Sequence, residues 1–505
     1  MGPATSRTTQ VILGAMRLPG CLLLLSSLAN AAPLVLEGEL PVMGPDFVMI
    51  PFEVPAATVE LSVTHPNLQP ENILDYGVFD PAGFRGWGGG NSEPAVVGAE
   101  ASSRSYLPGA LTAGTWSVLI GKAKVISAPA RYRLEIDLRT TPLLPAQSTR
   151  APWGPARLSD EARWYQGDFH VHSLESGDAQ PTMDAVATFA ASRGLDFVEF
   201  SEHNTTSQLG FLHDVQGRHP NVLLLPGVEF TTYAGHANGI GATSYVDHRL
   251  GYGEVTLDSA LAQFATQDVV FSLNHPLLDL GQSCIGCAWK HRIPREQMKA
   301  VEIATGGWDK TGVIFTKQTI AWWERFSAQG LHFAPVGGSD DHSGGQGTGA
   351  FDSPIGSPTT VVFANGLEAS AIVAGVRAGH TVVKLQGPTD PMVDLRVGAA
   401  MVGDDVEVSE ADLEITVIDG VGAKLVLFRD GAEYRTADVT STPFEFKEPL
   451  TEGGRYRAEA QLDGQPRTVT NNLWVTVVPK KSGCSTGEGL ALLSVLAFFL
   501  RYRAT

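Results

Sequence analysis

Between residues 165 and 364, one short apolar run after another ends in side chains of the types that can hold a metal ion. The first is Asp168-Phe169-His170-Val171-His172-Ser173, entered from the aromatic pair Trp164-Tyr165 and left through polar sequence. Residues 197–200 run into Ser201-Glu202-His203-Asn204. Residues 222–225 lead through Pro226-Gly227-Val228 to Glu229, with Gly235-His236-Ala237-Asn238 close behind. Residues 269–273 end in Asn274-His275-Pro276, and 333–336 in Gly337-Gly338-Ser339-Asp340-Asp341-His342. Short apolar runs bounded by turn residues read as buried strands. Side chains two apart on a strand share a face, so His170 and His172 are delivered side by side. Eleven of the thirteen histidines fall between His170 and His342.

Helical patterns occupy the gaps. Residues 181–193 begin with Pro181 in the first turn and stop at Gly194; 257–266, 317–328 before Gly330 and 367–377 before Gly379 are the others. Alternating strands and helices predict an α/β domain on a parallel sheet, open or closed. Its site lies at the strands' C-terminal ends, where these residues fall.

A chain of 505 residues exceeds one ordinary core and suggests about three domains. Residues 32–140 and 389–479 read as all-β, sandwich-like flanks of the central domain at 161–388, with a Pro-rich linker over 141–160. The N-terminal flank carries alternating runs at Phe47–Val54, 59–63, 77–79, 115–120 and 132–138 and suits an accessory or substrate-positioning role. Its stretch Gly83-Phe84-Arg85-Gly86-Trp87-Gly88-Gly89-Gly90 lacks the Gly-Lys-Thr and strand-to-helix context of a phosphate cradle and reads as a turn. In the C-terminal flank, Asp430-Gly431 between two apolar runs predicts a hairpin.

The ends carry addresses. Residues 1–31 have Arg7 and Arg17, an apolar run over 18–28 and Ala29-Asn30-Ala31, the pattern of a signal peptide, so export is expected. Residues 480–505 place Cys484 before a short apolar stretch and Arg501 and Arg503, too short to span a membrane comfortably. This order resembles the processed C-terminal sorting tails of myxobacterial surface proteins and implies attachment to the cell envelope at Cys484. With those cysteines set aside, Cys284-Ile285-Gly286-Cys287 remains, and in an exported chain it is expected to be a local disulfide. A net charge of −18 excludes nucleic acid held by electrostatics.

The central motifs together resemble the PHP (polymerase and histidinol phosphatase) metal-dependent hydrolases, in particular the CehA/McbA-like branch. The likeness covers about residues 165–385 and rests on the segments quoted above; Asn471-Asn472-Leu473-Trp474-Val475 resembles extracellular members of the same branch. It implies a distorted (β/α)7 TIM-like barrel holding two or three divalent ions, zinc, manganese or iron. Carried over position by position, His170, His172, Asp178, His203, Glu229, His236, His275, Asp340 and His342 would be the ligands. Glu229, Asp340 and His203 would act in catalysis. The departure is Glu202, where Asp commonly precedes the motif histidine; its extra length is expected to reorient His203 without loss of metal.

The chemistry of the set agrees independently. Imidazoles with carboxylates suit zinc, manganese or iron, whereas calcium sites avoid histidine. Glu229, and after it Asp340, suits a bridge between two cations, and a water held between them loses its proton near neutral pH and becomes the nucleophile. No nucleophile elbow competes among these motifs: Gly337-Gly338-Ser339-Asp340 lacks the required G-x-S-x-G. The leading expectation is an exported phosphoesterase acting on a small-molecule ester. Hydrolysis of a carboxylic ester or carbamate on the same site comes second, and a metal-loaded surface binding protein without turnover third. His213, His219, His248 and His332 fit no motif, and Lys290-His291-Arg292 reads as a solvated loop.

Overall fold

The computed structural model describes residues 32–480, apart from 295–296, 309–311 and 350–351. The predicted signal peptide at 1–31 and the tail segment with Cys484 lie outside the described residues.

Residues 34–139 fold into two four-stranded antiparallel sheets. One has the order Leu34–Leu40, Ala130–Arg139, Glu60–Thr64, Ala95–Gly98; the other Phe47–Val54, Gly114–Lys124, Ile73–Asp80, Gly83–Gly89. Alternation drives this arrangement: every second residue of each strand points at the other sheet, and Leu61, Trp116 and Val118 meet in one fully buried core. The glycine stretch is a correction. Gly83–Gly89 is a strand paired with Ile73–Asp80, because its bare positions let an aromatic ring lie against the backbone. A Cβ on Gly86 (φ 143°) would come 2.4 Å from the Tyr106 ring.

In the middle, seven strands lie in the order Ala334–Gly338, Ala300–Thr305, Val270–Leu273, Gly235–Ile240, Leu223–Thr232, Phe197–His203, Arg157–Val171. All are parallel to their neighbours except Gly235–Ile240, which runs against both of its own. The chain after the last strand returns to the first: the Asp340 amide donates to His170 O at 2.8 Å and the His172 amide to Asp341 O at 2.9 Å. Gly338 permits this approach, since a Cβ there would stand 2.3 Å from that of His170.

The mixed α/β class expected from the pattern is present, but the regular alternation is not. Five α-helices occur among the described residues, fewer than a complete TIM barrel carries. Four answer the predicted patterns: Met183–Ser192, Leu257–Ala265, Val313–Ser327 and Ala369–Arg377. The fifth, Leu209–Arg218, lies in a polar stretch that periodicity passes over; it buries only Leu212 and Val215. Met183–Ser192 starts where the Thr182 hydroxyl accepts from the Ala185 amide, and it buries Val186, Ala187 and Ala190 against Val198 and Phe200 of the sheet. Emptying that contact with Phe200→Ala would cost about 3–5 kcal/mol.

Thr359–Glu368 pairs with the first half of Arg157–Val171 and leads through Thr381–Lys384 to Gln465–Thr470, so one fifteen-stranded sheet passes from the central domain into the C-terminal β-region. There Lys424–Arg429 and Ala432–Asp438 form the predicted hairpin, with Asp430 and Gly431 both at positive φ. Among the described residues no helix is long and apolar enough to cross a membrane.

Candidate metal centre

All nine predicted ligands gather at the edge where the parallel strands end. His170 is the penultimate residue of its strand, His203 the last of its own, and Asp340 follows Gly338 by two residues. Because Gly235–Ile240 runs antiparallel, its beginning lies at this edge. His236, its second residue, therefore arrives opposite Thr231.

Glu229 is the hub. It is fully buried, with Oε1 at 3.2 Å from His170 Nε2, 3.4 Å from His236 Nδ1 and 3.6 Å from His275 Nε2. Its Oε2 stands 2.6 Å from His203 Nδ1 and 3.8 Å from His172 Nε2. Asp340 Oδ1 lies between His170 Nε2 at 3.1 Å and His172 Nε2 at 3.2 Å. Asp178, with 58% of its side chain exposed, closes the outer side, 3.2 Å from His203 and 3.5 Å from His342.

Most rings are aimed by the nitrogen that does not face the centre. His275 Nδ1 donates to Cys287 O at 3.0 Å, His342 Nδ1 to Asp340 O at 2.9 Å and His236 Nε2 to Ile285 O at 3.2 Å. An N–H given to a carbonyl fixes the tautomer and leaves the other nitrogen with a bare lone pair. His170 Nδ1 meets Glu302 at 3.1 Å and His172 Nδ1 meets Ser176 Oγ at 3.0 Å. The opposite atoms, His170 Nε2 and His172 Nε2, are buried and have no hydrogen-bond donor or acceptor in good geometry. Orphaned buried nitrogens converging on shared carboxylates fit divalent cations.

Electrostatics reflect the crowding of acids and imidazoles without a cation between them. Burial penalises the Glu229 carboxylate, yet His170, His203 and His236 outweigh it and hold its pKa well below the usual range. Burial likewise opposes charge on His170, but Asp340, Glu229 and Glu302 raise its pKa well above the ordinary value. His172, buried among His342 and His203, is pushed down to about 3 and stays neutral, as a ligand must. His275 and Asp340 also hold positive φ, 30° and 56°, a conformation side chains resist at a cost of about 1–3 kcal/mol each.

Three residues important to the geometry have no role in the sequence reading: Glu302 and Thr231, outside the quoted motifs, and Asn274, which stands in one. Glu302 sits inside the uniformly buried strand Ala300–Thr305; it takes His170 Nδ1 on one oxygen and the His275 amide on the other at 2.7 Å. A lone carboxylate inside a buried strand was the available signal. Asn274 Nδ2 donates to Glu229 Oε1 at 2.8 Å, and Thr231 Oγ1 lies 2.8 Å from His203 Nδ1. Glu202 does not act on His203 as expected: being next in sequence it faces the other side of the strand. There its carboxyl accepts from the Ser173 amide at 3.1 Å, steadying the turn after His172.

Cys284 and Cys287 are joined as a disulfide, in the loop whose carbonyls aim His236 and His275. His248 is buried beside Phe47 and Trp87, and His332 stacks on Trp474 at 3.7 Å; neither approaches the centre. The Lys290 side chain is exposed and pairs with Asp279.

No family model and no curated protein matches the chain. Among solved structures, a two-domain protein from Bacteroides vulgatus containing a predicted PHP-like metal-dependent phosphoesterase aligns at 18% identity and TM-score 0.36, over 64% of this chain and 99% of that one. An amidohydrolase from Chromobacterium violaceum, with bound sulfate and no metal, aligns at 14% identity and TM-score 0.25, over 37% of this chain and 93% of that one. At these values the reading of the centre rests on its own side chains.

Proposed function

We propose that this chain is an exported metal-dependent hydrolase of the PHP type, in its CehA/McbA-like branch, and that it cleaves phosphate esters. The observation that carries the reading is Glu229, one buried carboxylate reached by five imidazoles whose lone pairs face a common space. Ligand atoms of His172, His203 and His342 lie within 4.8 Å of one another, as do those of His170, His172 and Glu229 and those of His170, His275 and Asp340. That supports two or three ions, zinc, manganese or iron. Four carboxylates (Glu229, Asp340, Asp178 and Glu302) among neutral imidazoles bring the charge that two divalent cations balance. The cations would supply a water acidic enough to act as nucleophile at neutral pH, and positive charge for the oxygens of the ester. The chain's own residues hold and aim: Glu302, Ser176, Cys287 O and Ile285 O orient rings, and Asn274 fixes Glu229. In the same reading residues 161–388 form a distorted barrel closed between the 170 and 340 segments. Residues 32–140 and 389–479 are β-sandwiches beyond a linker at 141–160, and the tail at 480–505 attaches the exported protein to the cell envelope through Cys484, with no nucleic-acid partner.

One observation favours the second bond type: among the described residues no Lys or Arg lines the cavity over the centre, which suits a neutral carboxylic ester or carbamate as well as a phosphodiester. Metal analysis of the purified protein, with turnover of phosphomonoesters, phosphodiesters, aryl esters and carbamates, separates the readings. We expect phosphate-ester hydrolysis that a chelator abolishes and manganese or zinc restores. Silence across the panel from fully metallated protein leaves the binding-protein reading in its place.

A further inference from the structure

The cavity over the centre, about 450 Å³, is not walled by the central domain alone. Asp75, Trp87 and Gly88-Gly89-Gly90 of the N-terminal domain form its far side, across from His203, Glu229 and Asp340. That wall is fixed. Phe47 stacks on Tyr233 at 5.4 Å, Phe84 on Tyr245 at 3.7 Å, and Trp87 lies edge-on to His248 at 4.5 Å. Polar ties flank this aromatic seam: the Ser105 hydroxyl donates to Glu175 O at 2.8 Å and the Thr205 hydroxyl to Ser105 O at 2.9 Å. Asp75 is thus held in register with the metal-site residues, although 128 positions separate it from His203 and 265 from Asp340.

Asp75 is 9% exposed, and its Oδ2 accepts from the Tyr233 hydroxyl at 2.7 Å. Among the described residues no Lys or Arg lines the cavity, and the basic groups that face Asp75 are the imidazoles of the metal centre, His203 foremost. Burial pushes its pKa up to about 6, which still leaves it ionised at neutral pH. A buried carboxylate without a cation is costly, and a cavity-facing one can recover that cost from a ligand. A cationic nitrogen placed there would meet the carboxylate, with the Trp87 and Tyr233 rings as aromatic walls.

We propose that Asp75, backed by Tyr233 and flanked by Trp87, is a specificity subsite lent by the N-terminal domain, and that it selects substrates carrying an alkylammonium on the esterified group. The inference rests on the hydrolase reading for where the ester lies, and its test reads binding separately from turnover. Manganese-loaded full-length protein is titrated calorimetrically with ethyl phosphate and with 2-aminoethyl phosphate. The ammonium compound is expected to bind about tenfold tighter or better. In Asp75→Asn the ratio falls to within about twofold of unity, while Asp75→Glu, which keeps the charge, retains a preference above about threefold. Equal affinities in the wild type, or a preference that survives Asp75→Asn, overturn the subsite. Selective binding without turnover removes only the hydrolase reading. If neither phosphate binds, the phosphate reading falls, and competition between ethyl and 2-aminoethyl N-methylcarbamate decides the subsite by the same ratio.

Discussion

Two buried clusters in this molecule bring carboxylates and basic groups together, and they solve the same problem in opposite ways. Where helix Val313–Ser327 meets the C-terminal β-region, Glu324 takes Arg455 at 2.6 Å and also Arg457, which reaches Glu459 at 2.6 Å, while Arg455 Nε donates to Asn472 at 3.0 Å. Two carboxylates face two guanidiniums and the charges close on themselves. At the strand ends, carboxylates are shared among converging imidazoles, and His170 Nε2 and His172 Nε2 are left without a hydrogen bond in good geometry. The first cluster is buried throughout, whereas the second is buried at its hub, Glu229, and opens through Asp178 and Asp340 to a cavity. The first is complete as it stands and fastens one domain to the next; the second is completed only by added cations. An unsatisfied set of converging lone pairs therefore marks function here, and a satisfied one marks architecture.

The sharpest way to break this contrast is Glu229→Gln. It removes the charge at the hub while keeping its shape. We expect loss of bound metal and a drop of about 10⁴-fold in kcat/KM, the scale on which a member of a catalytic unit acts. Full metal occupancy with unaltered turnover would erase the distinction between the clusters. Next in size is Glu324→Ala, which strands Arg455 and Arg457 in a buried site. It should lower stability to urea by about 3–5 kcal/mol while metal stoichiometry holds. A variant that unfolds like the wild type, or one that loses metal, would show that this cluster is not the structural one.

How much of this could be read beforehand follows from where each residue lies. His170, His172, His203, His275, Asp340 and His342 stand at the ends of apolar runs, so motif and strand end coincide and the sequence alone brings them into view. Asp178 and His236 came from the family likeness. Glu302 was hidden because it interrupts an apolar run instead of ending one. Asp75 belongs to another domain, and no spacing within the chain connects it to the cavity. The glycine stretch was misread as a turn because its strand character comes from Tyr106 packing on it, a tertiary contact with no local signature.

Glu302→Gln sharpens the contrast from inside the metal centre. The amide keeps the reach to the His275 backbone but cannot hold the His170 Nδ1 proton as a carboxylate does. Metal affinity is expected to fall by about 10–100-fold, the cost of losing a partner that orients a ligand, with fold stability nearly unchanged. Metal-buffered titration measures it. An affinity equal to that of the wild type would mean that His170 is aimed by its strand alone.

The smallest effect tests a third way of burying charge. Glu199 lies on the same strand face as His203, four residues deeper, and is fully buried. Neither carboxyl oxygen has a hydrogen-bond partner of its own, for the Gly241 amide that lies towards it already donates to Pro226 O at 3.1 Å. Burial, with Asp168 adding to it, raises the pKa of this acid well above the ordinary 4.5, against the pull of the Gly241 amide and His170. A folded-state pKa raised above the unfolded one gives stability that is present below the unfolded value and lost as pH climbs towards the folded one. The wild type should therefore lose stability from about pH 4.5 upwards through this group, and Glu199→Gln, which cannot ionise, should not. The variant's advantage is expected to be near zero at pH 4 and to grow steadily towards pH 8, read from urea unfolding at the two pH values. An advantage that does not grow with pH would mean that Glu199 is ionised in the folded protein, and that this interior too gathers cations.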